Sequence, residues 1–227
     1  MPPPMFKGWH NVWPPVFALI MALALWQTGI FIFDWTPYMV PSPGAVALTA
    51  IERAEPLWHA SLLTLTAAVS GLSCSFCVGF VVAITFSQSR WLERCLYPYA
   101  IFLQTVPVVA IAPLIIQWVG HGFYGVVTVS FIISLFPMIS NITAGLHSPS
   151  ANAHDLFDLM RANRWQKLVK LQIPSCWPHV YTGVRISSGL SVIGAIVGEF
   201  FAGFGTDEFG LGYLILFTSG QAKTDYL

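Results

Sequence analysis

His59 to Phe86 reads HASLLTLTAAVSGLSCSFCVGFVVAITF and carries no formal charge along its whole length. A helix rises about 1.5 Å per residue, so about 20 apolar residues cross a hydrocarbon core of about 30 Å, and this run exceeds that. Its Ser70, Gly71, Ser73, Ser75 and Gly79 are the small residues that let membrane helices approach closely, so this helix is expected among protein neighbours. Composition agrees with a membrane setting: 56% of the 227 residues are hydrophobic and 9% charged, where a soluble domain carries about 25% charge. That excludes an ordinary soluble enzyme. A net charge of zero with no basic block leaves no electrostatic footprint for nucleic acid.

Outward from this run the same pattern recurs. Val16–Phe33 reads as a first span, too long for a signal peptide and followed by no small-residue cleavage site. Asp34, Trp35 and Pro37 close it. Pro41–Pro56 suits a connection with a short interfacial helix. Tyr97–Trp118 forms a third span containing Pro107 and Pro113, which mark a distorted helix beside a pathway, because a freed carbonyl must be satisfied by protein or a watery cavity. After a tight turn at Gly120, His121 and Gly122, Phe123–Leu146 forms a fourth span interrupted by Pro137, and Cys176–Phe204 contains a fifth. The run Leu211–Phe217 is under half the length needed to cross. The expected fold is an all-α polytopic membrane protein, residues 1–227 forming one transmembrane domain with five recognisable spans and a missing or incomplete sixth.

The polar stretch His147–Gln172 holds Arg161, Arg164, Lys167 and Lys170, which puts it in the cytoplasm. Counting outward places Lys7, Arg90, Arg94 and the amino terminus inside, with Arg53 outside. Ser148 is expected to cap a helix that begins at Pro149, and Asn163 a second, with Gln166 as its reciprocal partner. The first helix carries an apolar face of Leu156, Phe157, Leu159 and Met160 that wants a protein to cover it. The second, Arg164–Gln172, presents Trp165, Leu168, Val169 and Leu171 and is expected to stop at Pro174. Trp165 suits either docking or a place among lipid headgroups.

Three stretches resemble one family: QTVPVVAIAPLIIQWVG at Gln104–Gly120, DLFDLMRANRWQKLVKLQIP at Asp155–Pro174, and YTGVRISSGLSVIGAIVGEF at Tyr181–Phe200 followed by Gly-Leu-Gly at Gly210–Gly212. They are similar to the inner-membrane permease subunits of binding-protein-dependent ABC importers, in the branch for sulfonates, taurine, nitrate, thiamine pyrimidine precursors and riboflavin. The resemblance implies a type I importer permease fold in a bacterial inner membrane and a noncatalytic subunit working as a homodimer. It also implies two cytoplasmic ATP-binding subunits that use ATP and Mg2+, and a periplasmic solute-binding protein. The solute implied is a small organic molecule such as a vitamin or pyrimidine precursor. Residues 147–174 then form the coupling-helix loop, with Asp155, Leu156, Phe157, Met160, Arg161, Ala162, Asn163 and Trp165 at the ATPase. Asp155 falls at the family's Glu, Leu156 and Phe157 at its two Ala, Arg161 at its Gly and Pro174 at its distal Pro. A Gly there permits a sharp turn, whereas Arg161 is expected to need ordinary helical or extended geometry, leaving Ala162 and Asn163 to supply the break and the cap.

Catalytic chemistry is not expected. The chain has no G-x-x-x-x-G-K-S/T stretch, and GFGTDEFGLG at Gly203–Gly212 lacks the Lys and the strand, so ATP hydrolysis falls to a partner. Cys74, Cys77, Cys95 and Cys176 read as packing residues, the six histidines are scattered, and no metal or cofactor site is expected in this chain. Glu199 is an acid at or inside a span, costly unless it faces a cavity or finds partners. Its roles open at this stage are substrate contact and structural hydrogen bonding. Arg185 stands about 21 Å from it along one helix, too far for direct pairing. Further pathway candidates are Gln104, Thr105, Pro107, Pro113 and Gln117 on the third span, Ser134 and Asn141 on the fourth, and Ser187, Ser188 and Ser191 on the fifth. A channel or secondary carrier tolerates the same broken helices and needs no ATPase.

Overall fold

The computed structural model describes residues 13–36, 39–202 and 210–220. Lys7, Pro37 and most of the glycine-rich stretch, residues 203–209, lie outside the described residues, as does the end of the chain after Gly220. Every element among the described residues is helical. The chain divides into two compact units, one of Met1–Trp58 with Leu214–Leu227 and one of His59–Tyr213.

In the first unit α1 (Trp13–Phe33) begins with Pro14 and Pro15, whose missing amides cost nothing in a first turn. It is apolar on every side and buries no residue within the chain, which suits a membrane span. The expected interfacial helix is α2 (Pro43–Glu52), started by Ser42, whose side chain accepts from the Ala45 amide at 3.2 Å.

The second unit is built around α6 (Phe123–Leu146). It contains most of α3 (Ala54–Gln88), α4 (Arg90–Thr105), α5 (Val108–Val119), α7 (Ala151–Leu159), α8 (Arg164–Lys167) and α9 (Ile173–Ala202), and the first residues of α10 (Leu211–Gly220). α3 runs parallel to α6 on a stripe of Ala60, Thr64, Ala67, Gly71, Ser75, Gly79 and Ala83. A Cβ on Gly71 would come within 2.5 Å of Ser130 Oγ and 2.9 Å of the Phe131 amide, so the two backbones meet where only glycine fits. α9 runs antiparallel to α6, with Gly183 against Asn141, Gly194 against Ser130 and Gly198 against Val126.

Two apolar cores result, one around Ala67, Ile116, Val129 and Ala195 and the other around Ala83, Met138, Ile142, Leu168 and Cys176. Between them lies a layer of buried serines. Ser75 Oγ lies 2.6 Å from Ser134 Oγ and donates to Phe131 O, Ser187 donates to Ser134 O at 2.9 Å, and Ser130 donates to Ser191 O at 2.9 Å.

Four expectations need correction. The third span is two helices, since Pro107 takes an extended conformation ahead of α5 and disfavours helix at Val106 before it. The fourth is not interrupted: α6 continues through Pro137, and Asn141 Nδ2 donates to Pro137 O at 2.8 Å. Pro174 does not stop the second loop helix, because α8 passes through a wide turn at Leu168–Gln172 straight into α9. In that turn the Ile173 amide reaches back five residues to Leu168 O, and the next residue, Pro174, has no amide to offer, so the proline sits where the register has already slipped. Finally, the cap of α7 is Ser150, not Ser148: its side chain accepts from the Ala153 amide, while Ser148 Oγ donates to Ser175 O.

Candidate functional site

The loop between α6 and α9 is held by its own backbone. α7 ends with Arg161 in the left-handed region, φ 53°. The Arg161 amide donates to Asp158 O and the Ala162 amide to Phe157 O, both at 2.9 Å, which is the paired bonding that closes a helix through a left-handed residue. Arg161 therefore does not keep ordinary helical or extended geometry as expected. It adopts the conformation a glycine favours, because the two carbonyl bonds and the following cap fix it there.

Asn163 Oδ1 then accepts from the Gln166 amide at 2.8 Å and Gln166 Oε1 from the Asn163 amide at 2.9 Å, the expected reciprocal cap. Lys167 Nζ pairs with Asp158 across the turn. On this braced scaffold Leu156, Leu159, Met160 and Trp165 are 55, 82, 72 and 70% exposed, Asp155 is exposed, and Phe157 and Ala162 are half-buried. The apolar face read from the sequence is thus uncovered within the chain. Leu168, just beyond it, is buried in the second apolar core.

The loop shares one end of the unit with other basic residues. Glu93 meets His147 at 3.2 Å, and Arg90, Arg94, Tyr97 and Pro98 line a cleft of about 520 Å³ with them. Arg90 and Arg94 thus share one cleft with His147, the first residue of the loop.

Halfway along the unit, α4 and α5 meet at their break. Tyr97 Oη lies 3.0 Å from Ser140 Oγ, and Ile116 packs against Gly125, so α4 and α5 together run antiparallel to α6. The break falls opposite the middle of α6. There Gln104, Val108, Ile132, Ile133, Phe136, Pro137 and Leu190 line a cavity of about 210 Å³. Irregular backbone at this depth is tolerated only where protein or a water-filled space satisfies it.

The pathway candidates separate by burial. Gln104, Thr105, Pro107, Pro113 and Gln117 are exposed on the chain, and Asn141 and Ser188 are partly buried. Ser134, Ser187 and Ser191 are enclosed between helices, where their hydroxyls are bonded to neighbouring backbone or serine oxygens.

Glu199, 4% exposed, closes a separate cluster. Its Oε2 accepts from the Gly212 amide at 2.7 Å, and Thr64 Oγ1 stands 2.8 and 3.0 Å from its two oxygens. Thr64 in turn accepts from the Leu211 amide at 2.9 Å. These are the first two amides of α10, which a helix leaves without internal partners, and a carboxylate suits that end of the helix dipole. Gly210 and Gly212 pack so closely on Glu199 that a side chain at either would collide with it. Thr64 escaped sequence reasoning, since nothing local links it to an acid 135 residues away. Among the described residues no group of His, Cys, Asp or Glu is arranged to hold a metal ion.

Several membrane-crossing helices, a helix broken at mid-depth and a braced loop with a bare apolar face define a polytopic transport permease. Residues 75–222 match the family described as binding-protein-dependent transport system inner membrane component, and the chain belongs to that family, the inner-membrane permeases of ABC importers. It is 33% identical to the formylaminopyrimidine transport permease protein ThiX of Halalkalibacterium halodurans, over 91% of this chain and 81% of that one. It is 34% identical to the riboflavin transport system permease protein RibX of Chloroflexus aurantiacus, over 95% and 80%. It is also 24% identical to the nitrate import permease protein NrtB of Synechococcus elongatus, over 89% and 75%.

Proposed function

We propose that two copies of this chain form the membrane path of an ATP-driven importer, which receives a small organic solute of the pyrimidine-precursor or flavin kind from a periplasmic binding protein. The loop at residues 147–174 enters a groove on each of two ATPase subunits, with Leu156, Phe157, Met160 and Trp165 as the contact. The ATP and Mg2+ belong to those partners.

The observation that carries this reading is the exposed apolar face of α7, stiffened by the bonds at Arg161, the Asn163 cap and the Lys167–Asp158 pair. An unbraced loop would absorb a push; this one is continuous through α8 into α9, so displacement at α7 reaches the middle of the membrane. Leu168 in the second core gives that lever its bearing. The mid-depth cavity beside Gln104 and Phe136 has apolar walls and one amide, a lining suited to a flat, weakly polar ring. The ThiX and RibX likenesses point to the same kind of solute. His147, where the loop begins, and Arg90 and Arg94 at the start of α4 line one cleft, which supports a cytoplasmic loop and, counting spans back from it, an internal amino terminus.

The test is uptake into proteoliposomes holding the chain, its ATPase and its binding protein, with labelled formylaminopyrimidine and riboflavin. Uptake of either that requires ATP hydrolysis supports the reading. Full-rate uptake without the ATPase would assign the chain to the secondary carriers.

A further inference from the structure

Arg185 is the one cation among the described residues of α9, and it is exposed on the chain. Its depth follows from a hydrogen bond. Ser134 stands at the middle of α6, whose 24 residues extend about 36 Å. Ser187 donates to Ser134 O at 2.9 Å, and Arg185 is two residues earlier, about 3 Å along the axis. Its guanidinium therefore starts near the centre of the span, farther from either end of α6 than an arginine side chain extends. This is the costliest depth for a charge that faces lipid.

No acid among the described residues relieves it. Among the described residues the acids are Asp34, Glu52, Glu55, Glu93, Asp155, Asp158 and Glu199. Only Glu199 shares a membrane helix with Arg185 at any depth beyond its ends, and it is enclosed by Thr64 and Gly212. Neither ion pair among the described residues includes Arg185. A second copy of the chain brings the same inventory, so symmetry supplies no described acid at this depth.

The face of α9 around Arg185 mixes polar and aromatic residues. Tyr181, Thr182 and Gly189, three and four residues from Arg185 on the same side of the helix, are exposed, and Ser188 is half-buried. A Cβ on Gly189 would meet nothing within 4 Å. The cavity at the α4–α5 break lies at the same level, with Leu190 of α9 in its wall.

We propose that Arg185 is a solute-binding residue: its guanidinium faces a water-filled path and takes an oxygen acceptor, a carbonyl or an oxyanion, of the solute in transit. The planar fork of donors suits such a group where the compact ammonium of lysine does not. This deepens the importer reading and rests on it. It also changes the expected chemistry of the lane, which carries one fixed positive charge per chain at its midpoint.

The experiment uses the complete complex in proteoliposomes, with Cys74, Cys77, Cys95 and Cys176 replaced by serine. Arg185→Cys, and Leu23→Cys in the middle of α1 as a lipid-facing control, are treated with the membrane-impermeant sulfonatoethyl methanethiosulfonate. Arg185→Cys is expected to react at least tenfold faster than the control, and equal slow reaction overturns the proposal. Uptake is then measured for whichever of formylaminopyrimidine, riboflavin, ethanesulfonate and nitrate the wild-type complex imports. Arg185→Gln is expected to raise KM at least tenfold and Arg185→Lys at least threefold, with ATPase assembly unchanged. An unchanged KM in Arg185→Lys overturns the proposal even if Arg185→Gln fails to assemble. A wild-type complex that imports none of the four with ATP counts against the importer reading, and the labelling rates then decide Arg185 separately.

Discussion

The Gly212 amide donates to Glu199 Oε2 at 2.7 Å, joining the start of α10 to the far end of α9. With Thr64 holding the Leu211 amide, the acid works as a cap supplied from another helix. A helix of ten residues has little stability of its own, so its placement depends on such outside partners.

Glu199→Ala is therefore expected to strand the Gly212 amide and lower stability by about 1–3 kcal/mol, the cost of a buried group left without its bond. Glu199→Gln keeps an acceptor oxygen and is expected to lose less. Thermal unfolding of the purified protein in detergent checks both, and uptake by Glu199→Gln is expected to keep the wild-type KM. A raised KM with unchanged stability would instead make Glu199 a solute contact.

Glycine positions give a paired expectation. Gly71→Ala places its Cβ 2.5 Å from Ser130 Oγ and 2.9 Å from the Phe131 amide, and α3 must move away from α6. A loss of about 1–3 kcal/mol is expected, as for overpacked cores. Gly189→Ala, whose Cβ meets nothing within 4 Å, is expected to leave the thermal midpoint unchanged or slightly raised.

Arg161→Gly is expected to stabilise the end of α7. Its φ of 53° costs a residue with a Cβ about 1–2 kcal/mol, part of which glycine returns as entropy in the unfolded chain, leaving a gain of about 0.5–1 kcal/mol. Slower proteolysis within residues 159–164 of the folded protein checks the sign.

The spans were legible because their signal is length and apolarity, which local sequence carries in full. Small residues at helical spacing on α3 likewise announced its close packing. The behaviour of the prolines was not legible. Pro107 breaks a helix, while Pro137 and Pro174 sit inside continuous ones, Pro174 at a point where the register has already slipped. Arg161 misled for a related reason, since a residue's intrinsic preference yields when two backbone bonds and a cap fix the turn. The partners of Glu199 and the depth of Arg185 needed the packing of α3, α6 and α9, which no local pattern encodes.

The central claim is that force enters through the bare face of α7. Its most direct measurement is ATP hydrolysis by the reconstituted complex, stimulated by the loaded binding protein, in Leu156→Glu/Met160→Glu. Both side chains are exposed in the chain, so folding is expected to survive and the thermal midpoint to stay within a degree or two of wild type. The account expects the ATPase to dissociate and stimulated hydrolysis to fall at least tenfold. An intact complex with wild-type stimulation and uptake would contradict it.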